Sequence, residues 1–169
     1  DWSSDVCSSD LMSGSTFCSA PSSGISTHVM SPGCHNSLGA ATNAVCPIGG
    51  GSTIDVAKAV GILVTNGGRI HDYEGIEKFK TPPLPLIAIP TTAGTGSEVS
   101  GSCVISDTEK NLKMSIRHAS LNPAKIAILD PLALCSLPAH VAAHSGIDAF
   151  VHAFESYISL QANLITDAI

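Results

Sequence analysis

Pro85-Leu86-Ile87-Ala88-Ile89-Pro90 limits what this chain can fold into more than any other segment. It is a continuous apolar run shut between prolines, too short for a helix and without the alternation of a half-wetted strand. It suits a strand buried on both faces, the kind that fills a parallel sheet covered by helices. Upstream, Ile48-Gly49-Gly50-Gly51-Ser52 leads into Thr53 to Val64, where apolar residues at 54, 57, 60, 61 and 64 mark one face of a helix. Ser52 with Asp55 three residues on predicts an N-cap resembling a capping box. Asn66-Gly67-Gly68 predicts the helix end.

Residues 69–83 read as a polar connection closing on Pro82-Pro83. After Pro90 comes a Thr/Gly loop, Thr91-Thr92-Ala93-Gly94-Thr95-Gly96-Ser97-Glu98. Val99 to Ser106 and Leu112 to Arg117 predict two strands joined by a turn through Asp107 to Asn111. Lys125 to Leu129 predicts another buried strand, stopped by Asp130-Pro131. From Leu132 to Ile169 the β-branched runs cease and the pattern is helical, with breaks expected at Pro138 and Gly146. The domain reading is therefore an α/β part over 47–130 and the start of a helical part over 131–169.

Residues 1–46 stand apart. They hold no Lys, Arg or Glu, their only acids are Asp1, Asp5 and Asp10, and no strand or helix period persists. The stretch is left unassigned, as a flexible leader or as sequence foreign to the fold. The lead-in to the glycine turn is reduced to Ala44-Val45-Cys46-Pro47-Ile48, and Pro47 cannot donate to a central ladder.

Composition narrows the function classes. The chain has 169 residues, 44% hydrophobic and only 4% aromatic, which suits one α/β interior. Net charge is −6 with no Lys/Arg cluster, so nucleic acid and anionic membrane are poor partners. No apolar run approaches the roughly 18 to 20 residues that span a bilayer, and no secretory signal pattern opens the chain. The cysteines (7, 18, 34, 46, 103 and 135) form no C-x-x-C and no paired knuckles, so a reduced, cytoplasmic setting is expected.

Three places could carry chemistry. Gly49-Gly50-Gly51-Ser52 enters a helix N-terminus, where free amides and the helix dipole suit a phosphate; it could equally be a tight strand-to-helix turn. Thr91, Thr92 and Thr95 follow a buried strand, where hydroxyls can reach ribose and phosphate oxygens, or they cap their own backbone. Asp148 and His152 stand four apart, on one helix face, as half of a mixed O/N metal site. Asp148 could instead answer the helix dipole, and His152 could be an ordinary hydrogen-bonded histidine. His144 shares the four-residue spacing, but a break at Gly146 would take it off that face. His118 and His140 read as solvated, and Glu98 as structural. Lys113 reads either as a phosphate or ribose contact or as an exposed cation.

Together these segments resemble the iron-containing (group III) alcohol dehydrogenase family. The resemblance is carried by Gly49 to Ala59, by Ile89 to Val99, and by Leu129-Asp130-Pro131, Leu137-Pro138 and Gly146 to Tyr157, continuing through Thr166 to Ile169. It covers 47–169. It implies a dinucleotide-binding α/β domain followed by a helical metal-binding domain, here truncated. It implies NAD or NADP at Gly50, Gly51, Ser52, Thr91, Thr92, Thr95 and Lys113. It also implies Fe²⁺, or Zn²⁺, held by Asp148, His152 and two further histidines of the family that lie beyond Ile169, with no catalytic residue beyond the metal ligands. The expected activity is that of an oxidoreductase moving hydride between NAD(P) and a small-molecule alcohol or aldehyde, in a homo-oligomer. Maleylacetate-reductase-like and glycerol-dehydrogenase-like members, or a catalytically silent nucleotide-binding fragment, remain as alternatives. Little or no turnover is expected of this chain by itself.

Overall fold

The computed structural model describes residues 26–29, 44–108 and 110–168. Most of the unassigned stretch 1–46 lies outside the described residues. Strands are β1 (Ser26–Val29), β2 (Val45–Gly49), β3 (Gly75–Ile76), β4 (Ile87–Pro90), β5 (Ser102–Asp107), β6 (Leu112–Arg117) and β7 (Ile126–Ala127); helices are α1 (Gly51–Asn66) and α2 (Ala139–Ile158). One sheet runs β1-β2-β4-β7, the other β3-β6-β5. In the first, β2, β4 and β7 are parallel, with Ile48 beside Ile89 and Ile87 beside Ile126. β1, unforeseen from the sequence, adds antiparallel to β2, placing Thr27 beside Pro47. In the second, β5 and β6 form a hairpin in register from Ser102 against Arg117 to Asp107 against Leu112.

α1 is the crossover from β2 to β4, and it is wrapped on two sides. Toward the first sheet Ile54 and Ala57 meet Val45, Leu86 and Ala88. Toward the hairpin Ala59 and Ile62 meet Phe79, Cys103 and Ile116. Phe79 is 2% exposed, so the connection read as polar carries an anchor of the second core. At the far end Gly67 takes φ 72 and its amide bonds to the Leu63 carbonyl at 2.8 Å, a turn that disfavours a side chain.

Three local expectations are corrected. The lead-in strand is present: β2 holds Pro47 fully buried, because bonds on either side carry the pairing, Val45 N–H to Pro85 O at 2.9 Å and Thr91 N–H to Gly49 O at 2.9 Å. β7 spans only two residues and is not buried; it has β4 on one side alone, and Ile126 is 53% exposed. α2 begins straight after Pro138 as expected but runs through Gly146 without a break. A glycine costs a helix interior only about 1 kcal/mol, and nothing lies within 4 Å of the space its side chain would take. After Asp130 every element among the described residues is helical. None of the helices there is long and apolar enough to cross a membrane.

Candidate cofactor and metal site

β2 ends at Gly49, Gly50 caps α1, and no side chain bonds the cap. Thr53 and Ile54 are the first amides to bond back, both to the Gly50 carbonyl at 3.0 and 3.2 Å. The amides of Gly51 and Ser52 precede that first turn and present the positive end of a 16-residue helix. The expected Ser52–Asp55 capping arrangement does not form. Asp55 is buried, and its Oδ2 accepts the Val104 amide at 3.0 Å instead, because α1 is packed against the hairpin on that face.

The threonine loop leaves β4 and lies against this turn. A side chain at Gly50 would sit 3.2–3.3 Å from the Thr92 methyl and hydroxyl. One at Gly51 would sit 3.0 Å from the Ser97 hydroxyl and from Thr95. The glycines are thus required by close approach of two turns, both at the carboxyl ends of adjacent parallel strands, where open α/β sheets bind ligands. Thr92 Oγ1 is buried with no hydrogen-bond partner. Burying an unpaired hydroxyl is costly, and a ligand oxygen arriving at the turn would relieve it.

A cleft of about 600 Å³ opens here, within the usual size of small-molecule sites. Its walls are residues 49–53, Thr91, Thr92 and Thr95, faced by Val141, His144, Ser145 and Asp148 of α2. α2 seats on the threonine loop at Gly94. With φ 99, a Cβ there would fall 2.5 Å from the Ser145 carbonyl and 2.7 Å from Ala149 Cβ.

Asp148 Oδ1 and His152 Nε2 are 3.9 Å apart, each side chain about half exposed. A cation about 2.1 Å from each donor requires them within about 4.2 Å, so the pair fits two positions of a metal shell. Among the described residues no group of three or more His, Cys, Asp or Glu could hold an ion.

Of the residues singled out from sequence, Gly50, Gly51, Ser52, Thr91, Thr92, Thr95 and Asp148 converge on the cleft, and His152 adjoins it through Asp148. Lys113 does not line it; it is exposed on β6, beside Ser106. His144 does line it, because α2 is continuous through Gly146; its four-residue spacing from Asp148 is the sequence signal for this, and the break expected at Gly146 does not occur. His118 is half-buried against Phe79, ring centres 5.0 Å apart, and takes the Leu121 amide. The buried lysine near the turns is Lys58. Its Nζ donates to the carbonyls of Ser100 at 2.9 Å and Ser102 at 2.7 Å. Burial pushes the Asp55 carboxyl up and draws the Lys58 ammonium down, outweighing their mutual attraction; it also pushes the Cys103 thiol up to about 12, leaving it inert.

The sequence profile of iron-containing alcohol dehydrogenases matches residues 25–131. Alcohol dehydrogenase 4 of Saccharomyces cerevisiae is 48% identical over 124 residues, 73% of this chain and 32% of that protein. The NAD-dependent methanol dehydrogenase of Bacillus methanolicus is 43% identical over 126 residues, 75% of this chain and 33% of that protein. The solved structure of an iron-containing alcohol dehydrogenase from Thermotoga maritima superposes with a TM-score of 0.66 at 38% identity, over 73% of this chain and 33% of that one. The chain thus spans about a third of the relatives it matches. With a parallel sheet, paired turns at its carboxyl edge and a profile match over most of its length, this chain belongs to the iron-containing alcohol dehydrogenase family.

Proposed function

We propose that the cleft holds the pyrophosphate and nicotinamide-ribose part of NAD or NADP, and that the whole protein uses it to move hydride between a small alcohol and the matching aldehyde. One observation carries the reading: two small-residue turns from adjacent parallel strands and the face of α2 that bears His144 and Asp148 line one cleft. The turn amides of Gly51 and Ser52 offer donors to phosphate oxygens. Thr92 brings a buried hydroxyl that lacks a partner. Thr91 and Thr95 stand where ribose hydroxyls would pass. Lys113, exposed on the far hairpin, is kept as a contact only to a remote part of the nucleotide. The proposed cofactor draws on the NAD dependence of the Bacillus methanolicus relative, and the proposed iron on the family itself.

Asp148 and His152 would hold the divalent ion, with Zn²⁺ as the alternative to Fe²⁺. When bound, such an ion supplies Lewis acidity toward a substrate oxygen, and nicotinamide supplies the hydride couple. This chain's own residues bind, orient and exclude: the glycines bring backbone within reach of the pyrophosphate, and Val141 offers an apolar wall. Residence in the cytoplasm, for which the cysteine spacing without C-x-x-C or paired knuckles speaks, and homo-oligomeric assembly of the whole protein, drawn from the family, belong to the same proposal.

The test is a fluorescence titration of the chain with NADH, followed by amide NMR. Enhancement with shifts confined to 49–53, 91–97 and the facing residues 141–148 supports the site. Absence of both at millimolar NADH removes it. With two metal donors among the described residues, turnover of an aldehyde by the chain with NADH and Fe²⁺ should be negligible; brisk turnover would contradict the two-donor account.

A further inference from the structure

The nucleotide site is built from two turns that share no ladder beyond β2 and β4, yet the backbone of Gly50 and Gly51 lies so close to Thr92, Thr95 and Ser97 that an added Cβ would meet them at 3.0–3.3 Å. Besides apolar packing, a polar brace two turns down α1 links the helix that starts at the first turn to the segment that leaves the second. Lys58, its side chain 1% exposed, donates to the carbonyls of Ser100 and Ser102 at 2.9 and 2.7 Å. Asp55 accepts the Val104 amide at 3.0 Å through Oδ2, and its carbonyl takes the Cys103 thiol at 3.1 Å. All four links leave one turn of α1 and land on the first residues after the threonine loop.

We propose that the buried Asp55–Lys58 pair is a positioning device for the nucleotide site: it sets the register of the threonine loop along α1 and so the spacing of the two phosphate-facing turns. The claim rests on the nucleotide reading of the cleft. Apolar contacts between α1 and β5 are non-directional and would tolerate a small slide of the loop; hydrogen bonds with fixed donors and acceptors would not. The required tolerance is narrow, since Thr95 and Ser97 already stand 3.0 Å from the space a side chain at Gly51 would take.

The pair is poorly arranged as a source of stability. Its charged atoms are 3.9 Å apart, and Asp55 Oδ1 has no hydrogen-bond partner. Burial disfavours the charged form of both groups. Buried ion pairs of this kind are often replaceable without loss of stability. A role in register therefore separates from a role in stability.

The test compares the wild-type chain with the double variant Asp55→Asn/Lys58→Met, in which the amide oxygen can still accept from Val104. Ile62→Val serves as an ordinary core-weakened control. Three readouts are taken: melting midpoint, hydrogen exchange of amides 91–100, and NADH titration. The expected result is a double variant that melts no lower than the control, exchanges its loop amides at least tenfold faster than the control, and binds NADH at least tenfold more weakly. Loop exchange equal to the control's overturns the brace, and so does loosened exchange with unchanged NADH affinity. Failure of the wild-type chain to bind NADH refutes the nucleotide reading, while the exchange data still decide whether the pair sets the register. If the double variant does not fold, Lys58→Gln, which retains one donor, is read in the same way.

Discussion

α1 and α2 are both apolar helices that touch the same cleft, and they are held in opposite ways. α1 buries eight of its 16 residues between two sheets. α2 buries none of its 20, and leaves Ile147, Phe150 and Tyr157 more than 60% exposed. The wall proposed to face phosphate is thus set by a two-sided core. The wall that carries Asp148 and His152 rests on the Gly94 contact and local turns. An apolar stripe shows that a helix has something to cover; it does not show that the cover lies within the described residues.

The largest effect expected from this contrast is in the α1 core. Ile54 is fully buried against Val45, Leu86 and Ala88. Ile54→Ala should cost about 2–5 kcal/mol, read from urea unfolding, and should loosen the glycine turn three residues away. A cost near zero would mean that α1 is no better packed than α2, and the contrast would fail.

Next comes the joint between the two regions. Gly94→Ala places a Cβ against the Ser145 carbonyl and Ala149 in a backbone conformation that L-residues avoid. A penalty of about 1–3 kcal/mol is expected. Hydrogen exchange should speed up in α2 while β2 and β4 keep their protection. Equal loosening of both would show one cooperative unit and blunt the distinction.

How much of this was legible in the sequence follows the same division. β4 and the hairpin strands could be read because unbroken apolar or β-branched runs have few other uses. The glycine and threonine loops are legible by residue type; that they meet follows from the parallel pairing of β2 and β4, which the structure supplies. α1 was misread in detail, since a one-face pattern put Val64 inward and Asp55 in the cap. Val64 is 54% exposed, while Asp55 and Lys58 are buried. A helix covered on two sides hides charged residues among alanines, and no spacing rule reveals a long-range bond such as Lys58 to Ser102. β7 and α2 erred the other way: apolar segments were expected to be covered or broken, and they are neither. His144 is hidden in the sequence by Gly146, whose helix penalty is too modest to stop α2.

A smaller effect concerns pH. Asp55 is raised in the folded chain by burial, so the native state binds its proton more tightly than the unfolded state does. Its ionisation therefore costs stability as pH rises from 3.8 through the folded value. Wild type should gain on Asp55→Asn as pH falls toward 3.8 and hold level below it, seen as a narrowing gap or a reversal in melting midpoints. Lys58 is lowered, so its contribution improves as pH rises through its folded value toward 10.5. A gap between wild type and Asp55→Asn that widens against wild type on acidification would show that the carboxylate is stabilising, and the register argument would lose its energetic support.

The smallest effect is expected on the open face of α2. Phe150 is 70% exposed and stacks one turn from Phe154, ring centres 6.4 Å apart with planes 11° from parallel. Such a pair on a helix surface is worth about 0.2–0.5 kcal/mol, and a substitution at an open site stays within about 0.5 kcal/mol. Phe150→Ser should thus leave the urea midpoint nearly unmoved and NADH affinity unchanged, in contrast to Ile54→Ala in the other helix. A loss of about 2 kcal/mol would require Phe150 to be packed in solution. The helix bearing Asp148 and His152 would then be as well supported as the one bearing the glycine turn.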